Sequence, residues 1–371
     1  MNSPFRQKEV AQAHLMVVGC GALGNEVLKN LALMGVQHLV LVDFDYVESD
    51  NLSHSVLFTK KDAETNRRKV DAASERLKQM NPDINIQTIF GDIAYDVGLG
   101  LLRQMDVVIG CVDNRWARYC INRLCMRAGI PWVDGGIDGL EGTARVFMPD
   151  VNCYACNLGP EGLKDMAYRM PCAGTIRRNI AAGKAPTTSI AASVIGAIEA
   201  QEAMKLIDKD CDTTSLCGKM FYYEGAHLTT KLVDFKAYDD DCPLHERWSP
   251  IVPSPLNTQS TVAEVLKWLE TTYSVSTTIC LGDDCFVDYV VCRSDDSRHP
   301  MMKPGRTIAT LIEKDDNLRG IPFNDFYQHE WKEIDQNFPY QDLTLSELGI
   351  PELSILKIIT EQGYLFIELS R

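Results

Sequence analysis

The sequence lacks a hydrophobic run long enough to cross a membrane, because no apolar stretch reaches the roughly 20 residues that a spanning helix needs. It also lacks an N-terminal secretion signal, so we expect a cytoplasmic protein. Basic residues are in deficit, since 37 Lys and Arg stand against 51 Asp and Glu and give a formal net charge of −14. A chain of this charge is not expected to bind nucleic acid or an acidic membrane surface.

Internal repeats and low-complexity tracts are also absent, which leaves globular domains as the expected architecture. The 371 residues suit two domains, and 45% hydrophobic residues supply a sizeable core. Thirteen cysteines are many for a cytoplasmic chain. In a reducing compartment we expect them to be core thiols, metal ligands or nucleophiles rather than disulfides.

The most informative stretch, residues 14–43, predicts a βαβ unit. Residues 15–18 and 39–42 are short apolar runs typical of buried parallel strands. Between them, Gly19, Gly21 and Gly24 form a G-x-G-x-x-G turn that leads into a helical pattern. Such a turn aims a helix N-terminus at a phosphate, and Asp43 at the second strand end can bind a ribose hydroxyl. The pattern predicts nucleotide binding; the alternatives are an ordinary glycine-rich turn and a nicotinamide or flavin dehydrogenase.

Strand and helix patterns alternate up to about residue 150. Helices are predicted over residues 65–80, 97–104 and 115–128, and strands over residues 84–90, 106–112, 131–134 and 142–148. This alternation predicts an α/β fold with a Rossmann-like, mostly parallel sheet flanked by helices. A long helix over 188–207 and antiparallel strands over 221–223 and 229–235 extend this domain, which we expect to occupy residues 1–247.

The remainder of the chain predicts a second, smaller domain. Residues 248–259 hold three prolines with little periodicity and are interpreted as a linker. Residues 260–371 predict an α+β domain, with a helix over 262–273 and strands over 277–280, 286–291, 353–359 and 364–369. A capping-box pattern at residues 344–347 predicts a short helical turn.

Two short pairs carry metal-ligand spacing. Cys153 and Cys156 form a C-x-x-C pair, and Cys242 and His245 form a C-x-x-H pair. Four thiolate or imidazole ligands suit tetrahedral Zn²⁺ with no open position, which predicts a structural zinc knuckle. A redox role for the C-x-x-C pair is the alternative.

Taken in order, several motifs resemble those of the ubiquitin-activating and sulfur-carrier-activating adenylyltransferases. The motifs lie at residues 19–24, 41–52, 68–70, 81–82, 111–114, 153–156, 195–205 and 242–243, so the resemblance covers about two thirds of the chain. It implies that ATP and Mg²⁺ are used to adenylate the C-terminal glycine of a protein substrate. A carboxylate would attack the α-phosphorus and pyrophosphate would leave, so cationic groups must neutralise the meeting of two anions.

The resemblance also implies roles for individual residues. Asp43 would bind the ribose, Asn51 and Lys69 would hold the phosphates, and Asp113 would hold Mg²⁺ beside Asn114. Asp45 and His54 complete the predicted nucleotide site, and Lys69 and Asp113 are the catalytic candidates within it. The family usually has an arginine at the position that His54 occupies in this chain. It also has an arginine in an N-terminal helix, whereas Arg6 is the only arginine before the first predicted strand here. Arg67 and Arg68 are candidates to replace these arginines.

Cys172 is the predicted nucleophile. In activators of ubiquitin-like proteins, a cysteine between the first zinc pair and the next long helix takes the adenylated C-terminus as a thioester. Cys172 is the cysteine in that segment, and basic residues near it favour a thiolate. These are Arg169, Arg177, Arg178 and Lys184. A packing role and a persulfide or disulfide role are the alternatives. Cys20, Cys111, Cys120 and Cys125 are interpreted as buried thiols.

The C-terminal domain resembles, by pattern, the ubiquitin-fold domain with which such enzymes recruit a conjugating enzyme. The sequence as a whole therefore predicts an activating enzyme for a ubiquitin-like protein, acting as a homodimer and passing its thioester to a conjugating enzyme. One alternative is a sulfur-carrier or peptide adenylyltransferase without a thioester. Another is a non-catalytic scaffold that retains the fold. This alternative is suggested by His54 and by the missing N-terminal arginine.

Overall fold

The computed structural model describes residues 5–159, 162, 188–208, 216–235, 239, 242–282 and 284–371. Cys172 and the basic residues near it lie outside these ranges. The described chain divides into two compact units. The first holds the described residues up to 247 except 98–100, and the second holds 98–100 and 248–371. None of the described helices is long and apolar enough to span a bilayer.

The first unit is built on one eight-stranded sheet. Its strands are β1 His14–Val18, β2 His38–Val42, β3 Asn85–Ile89, β4 Val107–Gly110, β5 Trp132–Asp138, β6 Glu141–Phe147, β7 Lys219–Glu224 and β8 Thr229–Asp234. The helices up to residue 207 are α1 Gln7–Gln12, α2 Ala22–Met34, α3 Lys60–Glu64, α4 Lys69–Met80, α5 Leu99–Leu102, α6 Arg115–Ala128 and α7 Ser189–Ile207. The strand order is β3-β2-β1-β4-β5-β6-β7-β8, parallel from β3 to β5 and antiparallel from β5 to β8. The predicted fold class is confirmed.

The central strands are apolar because helices cover both faces of the sheet. β1, β2 and β4 are buried along nearly their whole length. Helices α2 and α7 pack side by side against the sheet, and small residues of α7 permit this close approach. A Cβ atom on Gly196 would lie 2.8 Å from the Cβ atom of Glu26 in α2.

One predicted helix begins later than expected. The helix predicted over 65–80 is α4, which begins at Lys69, and the separate short helix α3 ends before residue 65. Thr59 caps α3 through a reciprocal bond pattern with Asp62, and Asn66 then takes a left-handed conformation with φ of +48°. Arg68 is extended and bridges to Tyr46, so α4 starts at Lys69. The first residue of α4 thereby reaches the sheet edge where the predicted site lies.

The second unit contains two antiparallel-rich sheets. Its strands are β9 Ile251–Pro253, β10 Thr277–Cys280, β11 Phe286–Cys292, β12 Arg298–Pro304, β13 Phe323–Trp331, β14 Glu333–Ile334, β15 Ile355–Thr360 and β16 Gly363–Glu368. Its helices are α8 Val262–Tyr273 and α9 Gly305–Lys314. One sheet has the order β14-β10-β15-β16-β9, and the other has the order β12-β11-β13. Helix α8 packs its apolar face into the core of this unit.

Part of the stretch predicted as a linker is a strand. Residues 251–253 form β9, which pairs parallel with β16 at the edge of the five-stranded sheet. Proline lacks an amide donor but is tolerated in an edge strand. The prolines that led us to predict a linker are therefore compatible with β9. The predicted capping box at Thr344 and Glu347 is formed, but it closes a turn rather than a helix.

Candidate active site

The carboxyl ends of the parallel strands open onto a cleft of about 510 Å³, a size that suits a nucleotide. Every predicted nucleotide-binding residue except Gly24 lines it. These lining residues are Gly19, Gly21, Asp43, Asp45, Asn51, His54, Lys69, Asp113 and Asn114. The structure therefore brings together, from separate loops, the residues that the sequence singled out.

The three glycines of the turn meet different surroundings. Gly19 has φ of +94°, and a Cβ atom there would lie 2.4 Å from the carbonyl oxygen of Cys111. A Cβ atom on Gly24 would lie 2.0 Å from the carbonyl oxygen of Gly19, so Gly24 packs beneath the turn rather than facing the cleft. A Cβ atom on Gly21 would meet no atom within 4 Å. Gly19 and Gly24 thus shape the turn, whereas Gly21 leaves space at the cleft.

The Asp43 carboxylate lies against the glycine turn. Its Oδ2 accepts a hydrogen bond from the Cys20 N–H at 2.7 Å, and its Oδ1 accepts one from the Asp45 N–H at 2.7 Å. Burial raises the pKa of Asp43 above its ordinary value, although the Lys69 charge and the two N–H donors act in the opposite direction. The carboxylate is held in one orientation at the position expected for a ribose contact.

Lys69 is the cation that faces the cleft from α4. Its Nζ lies 2.8 Å from Asp45 Oδ2. Of the candidate replacements for the family arginines, Arg67 pairs with Asp62 and Glu75, and Arg68 lies over the ring of Phe90 at 4.4 Å. Neither of these arginines lines the cleft.

The loop that carries Asn51 and His54 is tied to the glycine turn by Asn25. The Asn25 side chain is fully buried, and its Nδ2 donates to the carbonyl oxygens of Cys20 and Gly21 at 2.8 and 2.9 Å. Its Oδ1 accepts from the Leu57 N–H at 2.8 Å. Asn25 therefore fixes the loop relative to the turn, a role that its place inside an apolar helix gave no reason to expect.

The other wall of the cleft is the start of α6. Asn114 is the N-cap, and its Oδ1 accepts from the Ala117 N–H at 2.8 Å. Its Nδ2 donates to Asp113 Oδ1 at 3.1 Å, which holds the two side chains together. The positive end of the helix dipole and the Asp113 carboxylate thus meet at the cleft, where a phosphate–metal pair would be stabilised by both.

A buried ion cluster that the sequence did not predict lies in the same wall. Arg118 Nε donates to Asp134 Oδ1 at 2.8 Å, and Arg118 Nη2 donates to the carbonyl oxygens of Val112 and Gly135. Arg145 Nη2 donates to Asp134 Oδ2, and both arginines line the cleft. The one available signal was the position of Asp134 at the carboxyl end of an apolar strand, the edge at which parallel sheets bind ligands.

Glu199 is a second acidic group that the sequence did not single out. It is fully buried on α7, and a Cβ atom on Gly135 would lie 2.4 Å from its carboxyl group. Burial raises its pKa well above the ordinary value, and the Asp134 charge adds to this rise while Arg118 opposes it. Burial therefore favours the neutral form of Glu199, behind the strand ends that carry the cleft residues.

The two metal-ligand pairs come together as predicted. The ligand atoms of Cys153, Cys156, Cys242 and His245 all lie within 4.8 Å of one another. His245 Nε2 lies 3.1 Å from Cys156 Sγ. Three thiols and one imidazole at this spacing fit tetrahedral Zn²⁺, so the cluster could bind zinc as a closed structural site.

The cysteines predicted to be buried in the core are buried. Cys20, Cys120 and Cys125 are fully inaccessible, and Cys111 is nearly so. Burial raises the pKa of the Cys120 thiol to about 12 and keeps Cys20 and Cys111 protonated as well. These thiols are consequently poor nucleophiles. The predicted nucleophile Cys172 lies outside the described residues.

Comparison with known proteins gives consistent matches. Residues 3–244 match the ThiF family. The chain is 31% identical over 241 residues to the SAMP-activating enzyme E1 of Haloferax volcanii, covering 65% of this chain and 83% of that one. It is 30% identical to the molybdopterin-synthase adenylyltransferase of Haemophilus influenzae, covering 61% and 86% of the two chains. A crystal structure of E. coli MccB with succinimide shares the fold, with a TM-score of 0.54 at 22% identity over 64% of this chain and 68% of that one.

Proposed function

The chain belongs to the ThiF family, and on this premise we propose that it uses ATP to adenylate the C-terminal glycine of a ubiquitin-like protein. The single observation that carries the proposal is the convergence of Lys69, Asp113 and the glycine turn on one cleft. Two relatives named as an activating enzyme and an adenylyltransferase support the reaction class.

The proposed chemistry needs positive charge where two anions meet. The substrate carboxylate attacks the α-phosphorus of ATP, the bond to the β-phosphate oxygen breaks, and pyrophosphate leaves. In this proposal Lys69 and the N–H groups of the turn neutralise phosphate charge, and Asp43 orients the nucleoside through its ribose. Asn51 and His54 border the phosphates from the loop that Asn25 holds.

Mg²⁺ is the second cation of the proposal. Asp113 supplies a carboxylate oxygen at the cleft, and Asp45 supplies another, which is the hard oxygen donor set that Mg²⁺ prefers. When bound, the ion would neutralise developing charge on the phosphates. The Asn114 amide donates to Asp113, and this bond keeps the carboxylate directed along the cleft wall.

The proposed second step is transfer to Cys172. The Cys172 thiolate attacks the carbonyl carbon of the adenylate, the carbon–oxygen bond to AMP breaks, and a thioester forms. The product would pass to a conjugating enzyme recruited by the residues after 248. The support for this step is the sequence position of Cys172, between the first cysteine pair and the next long helix, where activators of ubiquitin-like proteins carry their nucleophile. We further propose that the active form is a homodimer, as in the family.

The adenylation step is tested by ATP–pyrophosphate exchange with a panel of ubiquitin-like proteins that end in glycine. Wild type, Cys172→Ala and the matched control Cys217→Ala are compared, with non-reducing gels of the same reactions. We expect exchange in all three proteins and a thiol-sensitive adduct in wild type and Cys217→Ala but not in Cys172→Ala. No exchange with any candidate and no ATP binding would refute the enzyme and favour a scaffold.

A second candidate function is adenylation without a thioester. The similarity to a molybdopterin-synthase adenylyltransferase, which extends over 86% of that relative, favours it specifically. In the same experiment this function predicts exchange in all three proteins and no thiol-sensitive adduct in any of them.

A further inference from the structure

Asn122 joins the cysteine and histidine cluster to the core of the first unit. It lies in α6 and is fully buried. Its Nδ2 donates to Cys153 Sγ at 3.2 Å, and its Oδ1 accepts from the Tyr154 N–H at 3.0 Å and from Trp132 Nε1 at 3.4 Å. One amide therefore contacts a predicted metal ligand, the backbone next to that ligand and a strand of the sheet.

An N–H donor at a metal-bound sulfur has a defined physical effect. Cys153 is fully buried with Ala155 and Leu244 around it, so water does not solvate its sulfur. A hydrogen bond to a charged acceptor is stronger than a bond between neutral groups, so a donor at a metal-bound sulfur fixes the orientation of that ligand. Because Oδ1 is occupied on its other side by two donors, the amide cannot rotate to present oxygen to the sulfur.

We propose that Asn122 is a positioning residue of the metal centre, which holds the Cys153 side chain in one orientation and slows the loss of zinc. Asn122 also connects the metal centre to helix α6, because its side chain is bonded to Cys153. It follows Arg118 by one helical turn, so one face of the helix carries both the buried cleft arginine and the metal-site amide. Helix α6 therefore contacts the metal-ligand cluster through Asn122 and lines the cleft through Arg118.

Zinc release from the intact full-length chain tests the proposal. Zinc content is measured first, and release to excess chelator is then followed with a metallochromic dye. The variants are Asn122→Leu, which removes all three bonds, and Asn122→Asp, which keeps the shape and the oxygen that accepts two of the bonds but lacks the amide donor. The matched control is Trp132→Phe, which removes one bond to Asn122 and leaves the bond to Cys153. Loss of such a supporting bond typically weakens metal sites by about 10-fold to 100-fold.

We expect both Asn122 variants to release zinc at least about 10-fold faster than wild type and Trp132→Phe, in line with that range. A cobalt-loaded sample adds a readout that general destabilisation does not move. The sulfur-to-cobalt absorption band should shift in the Asn122 variants and stay in place in Trp132→Phe. The proposal is overturned if folded Asn122 variants keep the wild-type release rate and band position, or if the wild-type chain holds no zinc.

A measurement on wild type keeps the proposal testable if both Asn122 variants fail to fold. In the chain loaded with cadmium-113, a hydrogen bond to a metal-bound sulfur transmits scalar coupling between the amide proton and the metal. A correlation between cadmium and the Asn122 side-chain amide proton is the expected result. Absence of that correlation, in a sample where the cysteine protons of the site do correlate with cadmium, would overturn the proposal.

Discussion

Asp45 and Lys69 are joined twice, by an ion pair and by their backbones. Lys69 Nζ lies 2.8 Å from Asp45 Oδ2, and the Lys69 N–H donates to the Asp45 carbonyl oxygen at 3.0 Å. The Lys69 side chain is only 8% exposed, whereas that of Asp45 is 48% exposed. A lysine at the first position of a helix is opposed by the helix dipole, so the ion pair offsets an unfavourable placement. The Lys69 ammonium group therefore lies in the cleft despite the unfavourable helix dipole. A role in folding alone would not require a cation at this position, so we interpret Lys69 as a ligand-binding residue.

Replacement of Lys69 tests that interpretation. Lys69→Met removes the charge but keeps most of the buried methylene chain, so we expect a folded protein whose kcat/KM for ATP–pyrophosphate exchange falls by roughly 100-fold, the usual loss when one preorganised charge is removed. Lys60→Met is the matched control, because Lys60 is 84% exposed on α3 and pairs with Glu64 at the surface. Equal activities of the two variants would contradict a phosphate-binding role for Lys69.

Alanine substitutions at two positions of the glycine turn should have different effects, one on ATP affinity and the other on folding stability. Gly21→Ala places a methyl group in open space, so we expect a stability change of about 1 kcal/mol or less, the usual range at a helix N-cap. The same methyl group faces the cleft and should weaken ATP binding at least 10-fold, a loss of about 1.4 kcal/mol. Titration calorimetry and urea unfolding measure the two quantities.

Gly19→Ala should behave in the opposite way. Its φ of +94° and the approach of a Cβ atom to within 2.4 Å of the Cys111 carbonyl oxygen require the turn to deform. Backbone strain of this kind typically costs about 1–3 kcal/mol before the clash is added. A Gly19→Ala protein as stable as Gly21→Ala would show that the turn is not built as described.

Burial of Glu199 should make the folding stability decrease as the pH rises. Its pKa is raised from the ordinary 4.5, so below that value the carboxyl is protonated in both folded and unfolded chains. Above it, the unfolded chain loses the proton while the folded chain keeps it. Folding stability attributable to Glu199 therefore falls by about 1.4 kcal/mol per pH unit until the pH passes the raised pKa.

Glu199→Gln removes that titration and keeps the volume of the side chain. We expect the stability of the variant relative to wild type, measured by urea unfolding, to increase as the pH rises above 4.5. Glu64→Gln, at an exposed position on α3, should run parallel to wild type over the same range. A parallel profile for Glu199→Gln would mean that Glu199 is ionised in the folded protein.

Zinc removal should weaken ATP binding, because helix α6 contacts both the metal-ligand cluster and the cleft. The helix begins at the Asn114 cap, carries Arg118 in the cleft wall and packs against the residues between Cys242 and His245. We expect chelator-stripped protein to bind ATP more weakly than zinc-loaded protein, with recovery when Zn²⁺ is restored. Calorimetry at fixed ATP concentrations measures the change, and circular dichroism verifies that the stripped chain is folded. Identical affinities would show that the two sites are independent.

The parts of the site that the sequence predicted rest on local patterns. The turn from Gly19 to Gly24 has a spacing that only a strand-to-helix connection explains, and Asp43 follows a strand by position alone. The two metal-ligand pairs are 89 residues apart at Cys156 and His245, yet each pair carries its own spacing signal. Such features are predictable because a few neighbouring residues determine them.

Other elements escaped prediction for physical reasons. The strand at residues 298–304 is polar and contains two prolines, so its strand character comes from pairing with β11 rather than from its own composition. Helix α4 begins at Lys69 because Arg68 bridges to Tyr46, a partner 22 residues away in the sequence. Arg67 and Arg68, the candidate replacements for the family arginines, do not line the cleft of this chain, because acidic and aromatic neighbours engage their side chains.

The sequence by itself determined the α/β class, most residues of the candidate nucleotide cleft and the cysteine–histidine cluster that could bind zinc, because periodicity, glycine spacing and ligand spacing are local. Only the tertiary structure decided which buried polar groups support them. Asn25, Asn122, Asp134 and Glu199 are buried in helices and strands, and each contacts a residue that lies more than ten positions away in the sequence. A buried polar side chain must find a partner, but the partner is chosen by packing, which a linear pattern does not encode.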